Sequence, residues 1–457
     1  MKKIRGKFKL FLYGMAGLGM NMLNLIIGSY LCDALMTEGF VENASNWTYM
    51  DKTLVVAGLW SVMIALGKIL DGIIDIPFAG WTDKLKSKWG KRRPAILAGL
   101  IPAVITYILF LVPLQTEEHS VVNTLWFGFL LCVFYAFYTL TMVTYYATFS
   151  EIVDNDKDRV TLSNYKTIFD VIYYVLGYAL IPAFVGSMNI RTIALIFLPL
   201  VLTMLIPLFM IKERSTLDKD VATYAKEDDY EPEETVGMWD SLKYAVRNKS
   251  FIVWMGVYFA LQFSTQLFLN GQNVIYSGYV QLEGFEITMV MACAFAPVPL
   301  TLLLYNRLVR KHGIRVGYIF SLAAYMAAMA VLIFSSKELI PNDTARIIFA
   351  CFGGILSSFG TGCFFSINYT IPSTLASIER KETGISHPAM YFAIQGLTGA
   401  LATALSTGII WVNLKAHNAV WLAPIVVIAG SIVSLLLTKF MGEKVCNIGK
   451  AQTAEKK

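Results

Sequence analysis

Residues Leu66–Pro94 read LGKILDGIIDIPFAGWTDKLKSKWGKRRP, an apolar run that carries one lysine and two aspartates and ends in a basic turn. At 3.6 residues per turn, Lys68, Asp71 and Asp75 fall at i, i+3 and i+7, so their side chains share one face of a helix. If that helix crosses a bilayer, each charge costs about 2.5–3.5 kcal/mol near its centre, and ionisable residues at that depth mark an ion or substrate path.

Composition says that it does cross. The chain has 457 residues, 56% of them hydrophobic and only 15% charged, with a mean hydropathy of +0.57; soluble domains carry about 25% charged residues. The sequence predicts an all-α polytopic membrane protein. Six cysteines without CxxC or Cys/His spacing give no zinc site and no disulfide framework. The formal charge of +6 reports topology rather than a nucleic-acid partner. The start, MKKIRGKFK, is basic, but the apolar segment after it lacks a small-residue cleavage site and is long enough to span, so it is expected to stay as the first helix.

Apolar runs of spanning length predict twelve transmembrane helices, at about 9–36, 52–82, 94–114, 121–152, 160–186, 190–211, 251–280, 286–310, 314–335, 344–377, 387–413 and 419–441. Connecting segments alternate. One set holds the basic start, residues 83–93 with six Lys/Arg, 307–315, 379–381 and the Lys-rich end; the other set, such as 37–51 and 115–120, is poor in Lys/Arg. The positive-inside rule then places both termini in the cytoplasm of a multi-pass protein in the cell (inner) membrane. The only long polar stretch divides the spans six and six: residues 1–211 form one bundle, 212–250 a solvated cytoplasmic linker, 251–441 a second bundle and 442–457 a tail.

The two halves repeat. KLKSKWGKR (84–92), after helix two, matches RLVRKHGIR (307–315), after helix eight, at basic, Leu, Lys, Gly and Arg positions. Two duplicated six-helix halves are the mark of the major facilitator fold, in which a small-molecule substrate binds between the halves and access alternates. The offset of 223 residues puts Ala294 and Val298 where Asp71 and Asp75 stand in the first half.

Two carboxylates one turn apart repel, so one takes up a proton or both share a cation. Two readings fit. Lys68, Asp71 and Asp75 form a buried ion pair that fixes helix packing, or they hold a hard monovalent cation through carboxylate oxygens.

The segments DGIIDIP (71–77), GWTD (80–83) and KWGKRRP (88–94) resemble the signature of the glycoside–pentoside–hexuronide:cation symporters, the melibiose permease family, with Ile76 intervening before Pro77. The resemblance implies a coupling site for Na⁺, Li⁺ or H⁺ at Asp71 and Asp75, with Thr139 of helix four in the cation shell, Lys68 as the adjoining basic residue and no other cofactor. If sodium couples, Asp71 and Asp75 are the metal ligands. The family's sugar-binding residues are only partly kept: its helix-four aspartate falls on Met142, its helix-one aspartate on Asn21, its stacking tryptophan on Tyr146, its helix-five arginine near Lys166 or Thr167, and its helix-eleven lysine on Ala400 or neighbouring small residues. PSTLASI (372–378) replaces the acidic end of helix ten.

Other polar residues inside spans complete the expected site. Gly17, Asn21, Asn24 and Gly28 form one stripe of helix one; Tyr135, Tyr138, Thr139, Met142, Tyr145 and Tyr146 share a broad face of helix four; Lys166 and Asp170 lie one turn apart on helix five; Gln262, Gln266, Asn270 and Asn273 line helix seven; Ser358, Thr361, Phe365 and Asn368 line helix ten. Aromatics that stack on a sugar ring beside amides and charges that fix its hydroxyls need this mixture in one pocket. Small and amide residues also glue membrane helices together. The substrate-binding candidates are Asn21, Asn24, Tyr145, Tyr146, Lys166, Asp170, Gln262, Gln266, Phe365 and Asn368. Asp83, Arg92 and Arg93 are expected as a cytoplasmic gate, the basic turn as a contact for lipid head groups, and Trp239 with Leu242 as an interfacial anchor. The expected activity is cation-coupled symport of a sugar, glycoside or sugar acid by a monomer. The alternatives are a lipid-like or other non-sugar cargo on the same fold, or a non-transporting membrane sensor. No motif of an enzyme is present.

Overall fold

The computed structural model describes residues 4, 6–40, 45–83, 85–153, 156–217, 243, 246–383 and 388–447. Lys84, Trp239, Leu242, most of the 212–250 linker and residues 384–387 lie outside the described residues, as do the side chains of Asp83 and Phe365.

The described residues are helical, with no strand, and contain twelve helices long and apolar enough to cross a membrane. We number them α1 (Lys7–Ala34), α2 (Ala57–Asp83), α3 (Arg92–Phe110), α4 (Val121–Ile152), α5 (156–185), α6 (Ile190–Met210), α7 (Lys249–Tyr279), α8 (Gly284–His312), α9 (Ile314–Ile333), α10 (Asp343–Thr383), α11 (388–416) and α12 (Val420–Phe440). Some helix starts use side-chain caps, which satisfy amides that have no partner within the helix. Ser120 Oγ accepts from the Asn123 amide at 3.2 Å, and Asn248 Oδ1 accepts from the Phe251 amide at 3.2 Å. The start of α8 is closed by Glu286, whose Oε2 accepts from the Glu283 amide at 3.1 Å.

The two largest boundary differences from the sequence reading have local reasons. Helix α2 starts at Ala57 rather than near residue 52 because Thr53 and Leu54 are held as loop: the Leu54 amide donates to Leu35 O at 2.9 Å and the Thr37 amide to Thr53 Oγ1 at 3.1 Å. Helix α10 runs past residue 377 to Thr383 with Pro372 inside it. Membrane helices tolerate such prolines where neighbours take up the freed backbone groups.

The chain divides into two compact units, Met1–Thr37 with Asn43–Thr235, and Glu38–Glu42 with Val236–Lys457. Each has the same internal plan. In the first, α2 and α3 pack on α4 while α1 packs on α5 and α6; in the second, α8 and α9 pack on α10 while α7 packs on α11 and α12. The irregularities repeat as well. The first and fifth helices of both units widen into π-helical turns, at Ile27–Leu31 and Val175–Leu180 in one and at Ile275–Tyr279 and Ala404–Trp411 in the other. In the first unit the two widened turns bond each other: Tyr30 Oη donates to Gly177 O at 2.6 Å, and Ser29 Oγ lies 3.0 Å from Tyr178 Oη. Single π turns inside α-helices collect at functional positions, and their recurrence at matching places extends the duplication seen in the basic turns.

Candidate functional site: a carboxylate cluster and a polar chain on one helix

The cluster is built on the seam between α2 and α4. Glycine makes the seam close: a Cβ at Gly128 would lie 2.5 Å from Met63 Cγ, and one at Gly67 would lie 3.3 Å from the Tyr135 ring. That approach brings Thr139 to α2, where its hydroxyl donates to Asp71 Oδ1 at 2.5 Å. Lys68 lies within electrostatic range of Asp71, but its ammonium rests over the Tyr135 ring, 3.9 Å from the centroid. A cation over a ring face is attracted by the ring quadrupole, so Tyr135 competes with Asp71 for Lys68. Asp75, one turn further along α2, is an electrostatic neighbour of Asp71 and is half-buried. Its oxygens, together with those of Asp71, are the donors here that suit a hard cation.

A second polar chain starts one residue away. Tyr138, next to Thr139, donates from Oη to Asn21 Oδ1 of α1 at 3.0 Å. Asn21 Nδ2 donates to Asp170 Oδ1 of α5 at 3.4 Å, and Asp170 is ion-paired with Lys166. The Lys166 ammonium stands 5.2 Å from the ring centroid of Tyr146 on α4, and Tyr146 keeps an exposed edge. Asn24 Oδ1, a turn beyond Asn21, is buried and accepts no hydrogen bond. The structure therefore gathers Asn21, Tyr146, Lys166 and Asp170 on α1, α4 and α5, linked to Asp71 through adjacent residues of α4, with Asn24 one turn along α1 from Asn21.

Tyr145 packs beside them without offering its hydroxyl: it is fully buried, its hydroxyl donates to Tyr13 O at 2.5 Å, and its ring packs on Tyr13, Tyr146 and Phe149. In the second unit the amides bond within α7: Gln262 Nε2 donates to Tyr258 Oη at 2.9 Å, and Asn270 Nδ2 donates to Gln266 Oε1 at 3.1 Å. Asn368 Oδ1 is buried and accepts no hydrogen bond, while its backbone oxygen accepts from Gln395 Nε2 at 2.8 Å. Ser358 and Thr361 turn their hydroxyls back onto carbonyls of their own helix, at 2.6 and 3.2 Å, which is the usual resting place of such groups in apolar surroundings.

The expected gate shows an arrangement that the sequence hid. Arg92 is buried and donates from Nη1 toward Thr82 Oγ1 at 3.5 Å, and Arg93 Nε is buried without a hydrogen-bond partner. The first residues of the linker are not free in solvent. Glu213 Oε2 accepts from the Arg92 amide at 2.8 Å, capping α3, and Gly90, at φ 84°, leaves the space that the Glu213 side chain fills. Thr216 also bonds the same turn: its hydroxyl donates to Leu85 O at 2.9 Å and accepts from the Ser87 amide at 2.9 Å, and its amide donates to Ser87 O at 2.9 Å. Glu213 lies far from the basic turn in sequence and carries no local sign of this role. Tyr138 and Tyr135 stood on the α4 face; their adjacency to the Asp71 partner was the signal.

Two six-helix units of the same internal plan, long and apolar enough to cross a membrane, with two carboxylates on the second helix of the first unit, define a polytopic membrane protein. The sequence profile of MFS/sugar transport proteins matches residues 12–441, so the chain belongs to this melibiose-permease-like family of the major facilitator fold. An uncharacterised symporter of Synechocystis sp. is 28% identical over 136 residues, which cover 28% of this chain and 25% of that relative, about a quarter of its length. Among solved structures, the nucleoside transporter NupG aligns with a TM-score of 0.64 at 14% identity, covering 95% of this chain and 98% of that one. A POT family transporter in complex with a thioalcohol-conjugated peptide aligns at 0.61 with 12% identity over 95% and 96% of the two chains. A bacterial homologue of the human lysosomal transporter Spinster gives 0.57 at 12% identity over 96% and 97%. At these identities the likeness shows the fold. The relatives are transporters, not enzymes, and this chain is a multi-pass membrane transporter of the major facilitator type.

Proposed function

We propose that the chain is a cation-coupled symporter for a sugar, glycoside or sugar acid. The observation that carries the proposal is the Thr139–Asp71 bond across the α2–α4 seam, with Asp75 a turn away and a duplicate seam in which Ala294 and Val298 stand at the matching places. Lys68, Asp71 and Asp75 together carry a formal charge of −1, so one Na⁺, Li⁺ or H⁺ makes the cluster neutral, which favours coupling to a single monovalent cation. Thr139 and Tyr138 stand side by side on α4, so a cation that takes the Asp71 and Thr139 oxygens in place of their hydrogen bond shifts the same helix that presents Tyr138 to Asn21. Cation and solute then raise each other's affinity, as linkage requires.

The solute would bind to Asn21, Asn24, Lys166 and Asp170 by polar contact and stack on Tyr146. A carboxylate-bearing sugar suits Lys166, which it would draw from Asp170. A second reading keeps the fold and changes the cargo to an amphipathic solute, favoured by buried Met142 at the place of the family's sugar-binding aspartate. The basic connections support an orientation with both termini in the cytoplasm of the inner membrane. A thermal-shift screen of sugars, glycosides, sugar acids and lysolipids, each with Na⁺, Li⁺ or choline and at several pH values, tests the proposal. Stabilisation by a sugar that grows with the coupling ion supports it; stabilisation by lysolipids alone, indifferent to the ion, overturns it.

A further inference from the structure

The turn between α11 and α12 frames a cleft of about 330 Å³ lined by Ile409, Ile410, Asn413, Leu414, His417 and Ala419. Ile409 and Ile410 belong to the π-helical turn that widens α11. Asn413 and His417 follow at i and i+4, so both exposed side chains share one face of the helix end. Each is tied back to a carbonyl of its own helix. Asn413 Nδ2 donates to Ile409 O at 2.7 Å, and His417 Nδ1 lies 2.8 Å from Asn413 O. A carbonyl can only accept, so Nδ1 carries the proton and Nε2 of the neutral ring is an acceptor. Asn413 Oδ1 is an acceptor too, and among the described residues neither atom has a hydrogen-bond partner.

The helices on either side of the turn expose apolar side chains, Leu405 and Ile409 on α11 and Ile425 on α12, as surfaces that meet acyl chains do. Exposed Trp421, in the first turn of α12, marks the level of lipid head groups, where tryptophan collects. Apolar walls beside two acceptors at that level suit a lipid whose head group donates hydrogen bonds. Among the described residues no lysine or arginine lines the cleft, and neighbouring Lys415 is buried with its ammonium over the Phe40 ring, 4.6 Å from the centroid. The rim therefore offers a phosphate no cationic partner. A primary ammonium can donate to both acceptors, whereas the trimethylammonium of choline has no N–H to give. We propose that this cleft binds phosphatidylethanolamine, its ammonium held by Asn413 Oδ1 and His417 Nε2 and its glycerol and upper acyl chain lying on Ile409, Ile410 and Leu414.

The test is native mass spectrometry of the full chain, without coupling ion or sugar, titrated with phospholipids of one acyl composition that carry ethanolamine, its N-methyl and N,N-dimethyl forms, choline or glycerol. Binding should weaken as each methyl group removes a donor, with the ethanolamine lipid held about tenfold more tightly than the choline lipid, as loss of a hydrogen bond to a charged group implies. A phosphatidylethanolamine with a diazirine on its acyl chain should label the peptide spanning residues 409–421 on irradiation. Asn413→Leu and His417→Leu should each weaken binding of the ethanolamine lipid about tenfold and leave that of the choline lipid unchanged. Equal binding of the ethanolamine and choline lipids, preference for the glycerol lipid, or labelling confined to other helices would overturn the proposal. The decisive readouts are the wild-type order of lipids and the position of the label, so neither the folding of a variant nor the transport reading decides them.

Discussion

The α2–α4 and α8–α10 seams are two solutions to the same packing problem. Both join the second and fourth helices of a six-helix unit, and both use small residues to bring the backbones together, Gly67 and Gly128 in one, Gly354 in the other. In the first, a hydroxyl from α4 reaches a carboxylate of α2. In the second, Thr301 of α8 donates to Ser358 O of α10 at 3.0 Å, and the places matching Asp71 and Asp75 are buried Ala294 and Val298. A seam that packs without charges teaches that this fold does not need them. The carboxylates of α2 carry a desolvation cost that packing alone does not require, which favours a cation site over a structural ion pair.

That contrast can be broken or sharpened by substitution. The largest effect should come from Asp71→Asn and Asp75→Asn, each expected to remove cation stimulation of solute uptake by up to about 100-fold, while thermal melts show the protein folded. Moving the charge to the other seam is the converse: Ala294→Asp should destabilise the protein by about 2.5–3.5 kcal/mol, read from thermal or denaturant unfolding, because the new carboxylate has no partner there. Thr139→Val should weaken the cation response about tenfold, as expected for loss of a hydrogen bond to a charged group, and Thr139→Ser should restore most of it. The smallest effect should come from Glu213→Ala, which removes the cap of α3 and is expected to cost about 1 kcal/mol of stability without changing ion selectivity.

Much of this was legible in the sequence because the bilayer imposes long apolar runs. Twelve helices, the duplication and the Asp71–Asp75 face follow from run length, loop charge and helical spacing. The pairing of Asp71 with Thr139 was reachable only through the family resemblance, since nothing local ties the two positions together. Spacing did not sort the α4 face, where Tyr138 and Tyr146 join polar partners while Tyr145 turns its hydroxyl into a backbone carbonyl. One helix face broad enough to meet α1, α2 and α5 gives its side chains different neighbours, and only the packing decides among them. The Glu213 cap was hidden for a simpler reason: its partner is distant in sequence. The π-helical turns have no residue signature at all.

The central claim is that Asp71 and Asp75 hold the coupling cation. Its most direct test is the melting temperature of the purified protein titrated with NaCl, LiCl and choline chloride, and across pH, for the wild type and for the Asp71→Asn/Asp75→Asn double variant. A cation that binds the folded state alone stabilises it by about 2.7 kcal/mol at 100 times its Kd. The account predicts a rise specific to Na⁺ or Li⁺, or a pH-linked shift if the proton couples, that is present in the wild type and absent in the variant. An equal ion or pH response in both proteins would contradict it.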